Sequence, residues 1–325
     1  MQVTFTAIDE LRPGEKWAEL FHRLWPAYRK WWLSAGELAR PTYHESRKAL
    51  QEHMPELLPV YDTLAELAGG GDQAARFLSG YCPPPYMAGC SQAVWPGPEP
   101  LLVRNYDYSP DSFDAVVLRT QWLGRKVLGM ADSLIGVLDG VNEDGLAVSL
   151  TFGGRRIIGK GFGIPIILRY VLETCGTVSA AAEVLQRVPC HMAYNVTLLD
   201  SAKEIRTVFI SPDRPAIVTA AAVATNHQHE VEWADHARAT ASVEREDYLL
   251  KKLLQRGDPA ERFIAAFQRP PLYSLGFERG FGTLYSAAYR PRQGTLDLYW
   301  PGLSWSHSIS DFQEGTRSIE YKAQD

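Results

Sequence analysis

Three consecutive prolines divide this 325-residue chain into two parts of different character. They occupy positions 83–85, and a proline run excludes both a helix and a central β-strand. Before the run, apolar residues recur at helical spacing, whereas short strand-like stretches predominate after it. We therefore predict an extended connector at 81–89 that separates an N-terminal segment, residues 1–89, from a larger domain, residues 90–325.

The segment 1–89 has the periodicity of packed helices. Apolar residues from Trp17 to Trp32 line one wide face of a first helix. Thr42 and Glu45 have the spacing of a capping box and predict the start of a second helix, and the glycines at 69–71 precede a third. We predict that the whole segment is helical, that it stays packed on the larger domain, and that it walls a substrate pocket there.

The larger domain alternates between strand-rich and helical blocks. Strands are predicted near 91–95, 100–107, 114–121, 146–152, 193–200, 204–211 and 215–225, with a final hairpin at 283–289 and 295–300. Helices are predicted at 163–187, in two pieces divided by Gly176, and at 233–268. Strand-rich blocks with helical pairs between and after them favour layered α/β sheets over a parallel βαβ arrangement.

Charge and composition restrict the partners. The chain has 33 Lys and Arg against 38 Asp and Glu, a formal net charge of −5, and no basic run, so we expect no nucleic-acid partner. No apolar run approaches the ~20 residues that cross a bilayer, so no membrane association is expected. The start does not resemble a signal peptide, and four cysteines are too few for a disulfide framework, which together predict a cytoplasmic protein.

Several residues are weak candidates for chemistry. His227 and His229 could supply two metal ligands, but no third ligand is evident, and we predict neither a metal nor a cofactor. Cys175 and Cys190 lie in apolar surroundings, where cysteine is commonly a small buried hydrophobe.

Cys90 is the stronger candidate. It follows Gly89 where the connector enters the first predicted strand, and a turn at 96–100 would bring it near Arg104 and Asp107 on the next strand. Spacing alone leaves open whether Arg104 and Asp107 belong to a site or form an ordinary ion pair. It also leaves open a papain-like pairing of Cys90 with a histidine such as His227 or His191.

An ordered set of motifs resembles the N-terminal nucleophile (Ntn) cysteine hydrolases, in particular the isopenicillin N acyltransferase branch, with choloylglycine hydrolases as relatives. The motifs are Gly89-Cys90-Ser91, the stretches 104–107, 139–146, 163–165, 169–173 and 195–200, Thr225-Asn226-His227, and 283–286. The resemblance covers nearly all of residues 80–300. It implies an α+β fold, the four-layer αββα Ntn hydrolase fold, preceded by the helical segment 1–89.

The resemblance also implies roles for four residues. The Gly89–Cys90 bond would be cut, so that Cys90 begins the mature chain, its thiol acts as nucleophile and its α-amine as base. Asp107 corresponds to the aspartate that holds the amine, and Arg104 to the arginine beside the nucleophile. Asn226 corresponds to the asparagine that donates to the oxyanion.

Three further residues are implied on the substrate side. Thr151 falls near the second oxyanion asparagine of choloylglycine hydrolases, which is a departure from their pattern. Asn195 is a candidate for lining the site, and Arg279 is a candidate for the late arginine of the family.

The ionisation chemistry agrees with this scheme. A thiol with a pKa of ~8.5 is only a few per cent ionised at neutral pH and benefits from a base. An α-amine, with a pKa of about 7.7–8.0, is matched to neutral pH and exists only at a chain start. Cleavage before Cys90 would create both groups on one residue.

These features predict an amidohydrolase or acyltransferase that acts on a linear amide bond of a small N-acyl or aminoacyl amine, with hydrolysis favoured. The partners predicted are that small-molecule amide and, after cleavage, the two associated fragments 1–89 and 90–325. A homo-oligomer is compatible with the sequence. The alternative is an unprocessed or catalytically silent binding protein that keeps the fold.

Overall fold

The computed structural model describes residues 1–255, 257–279 and 282–321. Its helices are α1 (Glu15–Trp32), α2 (Tyr43–His53), α3 (Leu58–Leu67), α4 (Asp72–Leu78), α5 (Ile164–Thr174), α6 (Val178–Arg187), α7 (Ala234–Ala239), α8 (Ser242–Leu254) and α9 (Ala260–Ala266). Within the described ranges, no helix combines the length and the apolar character that crossing a lipid bilayer requires.

The strands fall into two sheets. They are β1 (Gln2–Glu10), β2 (Gly89–Trp95), β3 (Leu101–Tyr108), β4 (Val116–Thr120), β5 (Val127–Asp132), β6 (Gly136–Asn142), β7 (Leu146–Phe152), β8 (Tyr194–Asp200), β9 (Ile205–Ser211), β10 (Arg214–Thr219), β11 (Val223–Ala224), β12 (Gly282–Arg290), β13 (Thr295–Trp300), β14 (Leu303–Ser308) and β15 (Gly315–Glu320). One sheet has the order β10-β9-β8-β7-β6-β5-β4-β1-β15, and the other has the order β11-β2-β3-β12-β13-β14.

The two sheets pack face to face and are covered by helices outside. Strands β2 and β3 of the smaller sheet contact β7 of the larger one. Helices α5 and α6 cover the outer face of the larger sheet, and α8 packs on β2 and β11 of the smaller sheet. The layers are therefore α, β, β and α, and the predicted αββα architecture is confirmed.

A second, smaller core fixes the outer helices against the smaller sheet. Val103 of β3 and Val223 of β11 are buried there with Leu249 of α8 and Phe263 of α9. Because alternate strand residues face opposite sides, Leu102, the neighbour of Val103 in β3, faces the main core between the sheets. Strands β2, β3 and β12 of the smaller sheet each present residues to both cores.

Local signals located the first helices well. Thr42 caps α2, with the Glu45 backbone N–H 3.2 Å from Thr42 Oγ1 and the Thr42 N–H 2.8 Å from a Glu45 carboxylate oxygen. The helix ends at His53. The chain breaks at Met54 and resumes as α3, since Pro55 and Pro59 are tolerated only near helix starts.

The start of the chain corrects the prediction that residues 1–89 are wholly helical. Strand β1 lies between β4, to which it is parallel, and β15, to which it is antiparallel. Its sequence alternates as a half-buried strand does, with Phe5 and Ala7 buried and Thr4 exposed. The segment 1–89 therefore contributes a strand to the larger sheet of the domain that follows it.

We expect Phe5→Ala to lower the free energy of unfolding by about 3–5 kcal/mol, the usual cost of deleting a buried aromatic ring. Phe5 is fully buried and contacts the rings of Phe113, Tyr285 and Trp300. Urea denaturation followed by tryptophan fluorescence measures the change. Thr4→Ala, on the exposed side of the same strand, serves as the control and should stay within ~0.5 kcal/mol.

Candidate active site

Cys90 lies on the inner face of the smaller sheet, at the beginning of β2. It is fully buried and stands directly opposite Tyr106 of β3. Arg104, two residues before Tyr106 and on the same face, donates from Nη2 to Cys90 Sγ over 3.2 Å. The predicted proximity of Cys90 and Arg104 is thus present in the structure.

Arg104 is held by a buried acceptor cluster from the other sheet. It forms an ion pair with Asp139 of β6, and both side chains are inaccessible to solvent. Tyr285 donates to Asp139 Oδ2 over 2.7 Å, and Tyr289 donates to Asp139 Oδ1. Arg104 Nη1 also donates to the Leu138 carbonyl over 3.1 Å, so its orientation is fixed from several sides.

The buried surroundings keep the Cys90 thiol protonated in the uncleaved chain. Burial raises the pKa of Cys90 to about 11, an effect that the charge of Arg104 opposes and the charge of Asp107 reinforces. Formation of the thiolate at neutral pH therefore requires a proton acceptor close to the sulfur.

Asp107 lies on the outer face of the same sheet, opposite Gly89. Its carboxylate accepts hydrogen bonds from Thr283 Oγ1 at 2.7 Å and from Arg245 Nη1 at 3.1 Å. The two sequence candidates Arg104 and Asp107 do not pair with each other, because strand alternation places them on opposite faces. Each has a separate partner, Asp139 for Arg104 and Arg245 for Asp107.

Asn226, which follows β11, contacts the chain on both sides of the Gly89–Cys90 bond. The Cys90 N–H donates to Asn226 Oδ1 over 3.0 Å, and Asn226 Nδ2 donates to the Ala88 carbonyl over 3.2 Å. Arg245 Nη2 donates to the same Oδ1 over 2.6 Å. Asn226 is therefore oriented by Arg245 while it binds the connector.

Arg245 is a site residue that the sequence reasoning missed. It is buried in α8 and joins Asp107, Asn226 and Ser91, whose hydroxyl lies 2.9 Å from its Nη1. A signal was present, since Ser242, Arg245 and Leu249 have the spacing of one helix face. An arginine on the same helix face as a buried leucine is itself expected to be buried and to pair with an acidic group.

Thr151 and Asn195 support the segment that carries Asn226. They are paired across β7 and β8, and Asn195 Nδ2 donates to Thr151 Oγ1 over 3.0 Å. Asn195 also donates to the carbonyls of Thr225 and His227 over 2.9 Å, and Thr151 donates to the Thr225 carbonyl over 2.7 Å. Both side chains are fully buried and lie outside the cleft described below.

Arg279 ends a short 3-10 turn, Phe277–Arg279, and its side chain lies outside the described part of the structure.

The histidines contact groups other than Cys90. His227 lies 2.8 Å from Ser242 Oγ through Nδ1 and 3.1 Å from Glu246 through Nε2. His191 Nδ1 lies 3.2 Å from the Phe162 carbonyl. Among the residues that the structure describes, no histidine contacts Cys90 Sγ, and no group of three His, Cys, Asp or Glu side chains could hold a metal ion.

A cleft of about 120 Å³ lies beside the nucleophile candidate, between α1 and the strands. Tyr106, the cross-strand neighbour of Cys90, forms part of its wall. Leu24, Ala27, Tyr28 and Trp31 of α1 form another part, so the N-terminal segment walls the cleft. The remaining lining residues are Tyr86, Tyr108, Asp111, Ser112, Phe113, Asp114, Asp132 and Ser133.

Two buried carboxylates face this cleft. Tyr28 donates to Asp114 Oδ1 over 2.6 Å, and Ser133 Oγ donates to Asp132 Oδ2 over 2.9 Å. Burial raises the pKa of both carboxyl groups, and the charge of Asp114 raises that of Asp132 further. The sequence reasoning did not single out either residue.

The four layers α, β, β and α are those of the Ntn hydrolase class. Within this class, the family model of acyl-coenzyme A:6-aminopenicillanic acid acyl-transferase matches residues 95–305, and the chain belongs to that family. The match begins at Trp95, shortly after Cys90. No curated protein sequence matches the chain.

Several solved structures are similar to parts of this chain. Penicillin V acylase from Agrobacterium tumefaciens is 13% identical over 70% of this chain and 90% of its own, with a TM-score of 0.49. The Caenorhabditis elegans ortholog of N-acylethanolamine-hydrolyzing acid amidase is 19% identical over 63% and 93%, with a TM-score of 0.46. A mutant of conjugated bile acid hydrolase from Clostridium perfringens is 15% identical over 73% and 97%, with a TM-score of 0.41.

We expect Arg245→Met to lower the free energy of unfolding by about 3–5 kcal/mol, because it leaves the buried Asp107 carboxylate without its cation. Urea denaturation measures the loss. The double variant Arg245→Met/Asp107→Asn should recover part of it, since the uncompensated charge is then absent. An equal or larger loss in the double variant would contradict a direct Arg245–Asp107 coupling.

We expect Asp132→Asn to stabilise the protein at pH 8 but not at pH 4. A folded-state pKa above the ordinary carboxyl value of about 3.9 means that the wild type loses stability as pH rises above 4. Arg23 and Arg104 are the cations that reduce the raised pKa values of Asp114 and Asp132, respectively, and Tyr28 faces both carboxylates. Asparagine cannot ionise, so the variant should gain roughly 1–3 kcal/mol at pH 8.

Thermal unfolding of both proteins at the two pH values measures this difference. Asp111→Asn is the matched control, since Asp111 lines the same cleft but is exposed. A gain for Asp132→Asn that is equal at pH 4 and pH 8 would show that it does not come from ionisation.

Proposed function

We propose that the protein is a cysteine Ntn amidohydrolase or acyltransferase that cleaves its own Gly89–Cys90 bond and then acts on a linear amide of a small N-acyl or aminoacyl amine. The observation that carries the proposal is the double contact of Cys90. Its sulfur accepts from Arg104, and its backbone nitrogen, the future α-amine, donates to Asn226 Oδ1.

The first reaction is self-cleavage. Cys90 Sγ loses its proton and attacks the Gly89 carbonyl carbon, the C–N bond breaks, and the Cys90 nitrogen takes up a proton. Water then hydrolyses the resulting thioester and leaves a carboxylate on Gly89. Arg104 favours the thiolate form, and this offsets part of the burial that raises the thiol pKa.

The freed amine makes the second reaction efficient. It stays next to Asn226 and takes the thiol proton at neutral pH, which the buried thiol cannot release unaided. Cys90 then attacks the substrate amide, and the amine protonates the leaving nitrogen. Asp107 acts through Arg245, which orients Asn226 and neutralises the carboxylate.

Asn226 gains a second role once the connector has moved. Its Nδ2 now donates to the Ala88 carbonyl, which belongs to the fragment that ends at Gly89 after cleavage. Departure of Ala88 would free this donor for the oxyanion of the substrate, a contribution usually worth a few kcal/mol. Thr151 and Asn195 are then positioning residues, since they hold the carbonyls on either side of Asn226.

Hydrolysis and acyl transfer share the Cys90 thioester and differ only in what attacks it. Water gives hydrolysis, and an acceptor amine gives acyl transfer, the reaction in the family's name. Hydrolysis requires no second substrate and is therefore the reaction to test first.

The cellular setting and assembly follow as part of the same proposal. The four cysteines are free, which agrees with a reducing cytoplasm. Fragments 1–89 and 90–325 should remain associated after cleavage, because β1 of the first is hydrogen-bonded between two strands of the second. A homo-oligomer is compatible with the composition.

Intact-mass spectrometry of the purified protein tests self-cleavage. We expect fragments 1–89 and 90–325 from the wild type and a single intact chain from Cys90→Ala. Cys190→Ala is the matched control, because Cys190 is also a buried free thiol but is not connected to Arg104 or Asn226. This control should be cleaved like the wild type.

An activity panel of small N-acyl and aminoacyl amides tests turnover. We expect amine release by the cleaved wild type and none by Cys90→Ala. A wild type that stays whole after long incubation, and binds amides without turning them over, would instead identify a silent binding protein with this fold.

A further inference from the structure

The cleft beside Cys90 combines negative charge with aromatic walls. Asp114 and Asp132, which line it, are only 8% and 6% exposed. We propose that this cleft binds a protonated amino group of the substrate, so that Asp114 and Asp132 make the enzyme selective for cationic amides over neutral ones. The inference rests on the proposed function and adds the charge of its substrate.

Asp114 has one carboxylate oxygen without a partner. Oδ1 accepts from Tyr28, and the backbone N–H of Leu134 interacts with the carboxyl group and lowers its pKa, whereas Oδ2 is buried and accepts no hydrogen bond of good geometry from the described residues. Leaving a buried acceptor unsatisfied is costly, and more so when it is charged. An ammonium group in the cleft would supply the missing donor.

The pair also lacks a neutralising cation. No described lysine or arginine forms an ion pair with Asp114 or Asp132. Arg23 and Arg104 act on Asp114 and Asp132, respectively, only as nearby charges, and Arg104 is already paired with Asp139. Two buried carboxylates that repel each other resist ionisation together. A bound cation would reduce this repulsion.

The walls of the cleft suit an organic cation. Trp31, Tyr86, Tyr106, Tyr108 and Phe113 present aromatic rings along it. Aromatic faces attract ammonium groups, while their edges accommodate the attached methylene groups. At about 120 Å³, the space is close to the ~150 Å³ of a cavity that accepts benzene.

Tyr106 links the cleft to the candidate nucleophile, Cys90, because it forms part of the cleft wall. This residue stands opposite Cys90 across the β2–β3 pair, and both Asp132 and Cys90 act on its pKa, which burial raises. An amino group held by Asp132 and an amide carbonyl at Cys90 would therefore lie on either side of one tyrosine. This arrangement fits a short substrate that carries an ammonium group and an amide bond.

The ammonium group could belong to either half of the substrate, and matched amides distinguish the two. On the acyl side, 3-aminopropanoyl benzylamide is compared with butanoyl benzylamide. On the amine side, N-(2-aminoethyl)acetamide is compared with N-propylacetamide. Each pair differs only by an ammonium in place of a methyl group.

The experiment measures kcat/KM for both pairs at pH 7.5 with the cleaved wild type, Asp114→Asn and Asp132→Asn. We expect the wild type to prefer the cationic member of at least one pair by about tenfold or more, the size of a hydrogen bond to a charged group. Each variant should lose most of this preference, measured as the ratio of kcat/KM for the cationic member to kcat/KM for the neutral member.

Asp111→Asn is the control, because Asp111 lies at the exposed rim of the same cleft. It should retain the wild-type preference, since exposed charges are screened. Equal kcat/KM values for cationic and neutral members in both pairs, or a loss of preference that is as large in Asp111→Asn, would overturn the inference.

A binding measurement separates this inference from the proposed function. In the Cys90→Ala chain, calorimetric titration with 3-aminopropanoyl benzylamide should show binding at least about tenfold tighter than with the butanoyl analogue. That result in a protein without any turnover would sustain the cation site while the amidohydrolase proposal fails. Turnover without discrimination would do the reverse.

Discussion

The ion pair between Arg104 and Asp139 is the interaction on which the candidate active site depends. Both groups are inaccessible to solvent, and further hydrogen bonds to the pair offset part of the cost of burying it, while Arg104 Nε is buried without a hydrogen-bond partner among the described residues. Tyr285 and Tyr289 donate hydrogen bonds to the Asp139 carboxylate. The Arg104 guanidinium directs its Nη2 at Cys90 Sγ. Because Arg104 and Asp139 lie on different sheets, the pair also fixes the sheets relative to each other at the sulfur.

Strand alternation divides the remaining functions between two faces. Cys90 and Arg104 point into the space between the sheets, whereas Ser91 and Asp107 point towards α8, where Arg245 binds both. The Cys90 nitrogen lies in the plane of the strand and is accessible to groups from either side. One residue therefore presents its sulfur to one environment and its backbone nitrogen to another.

The sequence predicted features that rest on local chemistry, and it failed where partners are distant. The capping box at Thr42 was visible because its two residues are three positions apart. Arg245 is distinguished from a surface arginine only by its face of α8. Asp114 and Asp132 become neighbours through the β4–β5 pairing, in which Val117 opposes Met130, and β5 was not predicted. The alternation of buried and exposed residues in β1 is present in the sequence, but it spans only nine residues and directly precedes the stronger helical periodicity of α1.

The position of β1 sets an order of events during synthesis. This strand leaves the ribosome long before β15, yet Thr4 is hydrogen-bonded to Ser318, 314 positions later. The place between β4 and β15 can therefore be completed only when β15 has emerged, and until then β1 has at most one neighbour. Such long-range pairing is slow to form. Nascent chains that stop before β15 would lack this edge strand, and β1 would then form the edge of the sheet. The complete nine-stranded sheet can therefore form only after β15 has been synthesised.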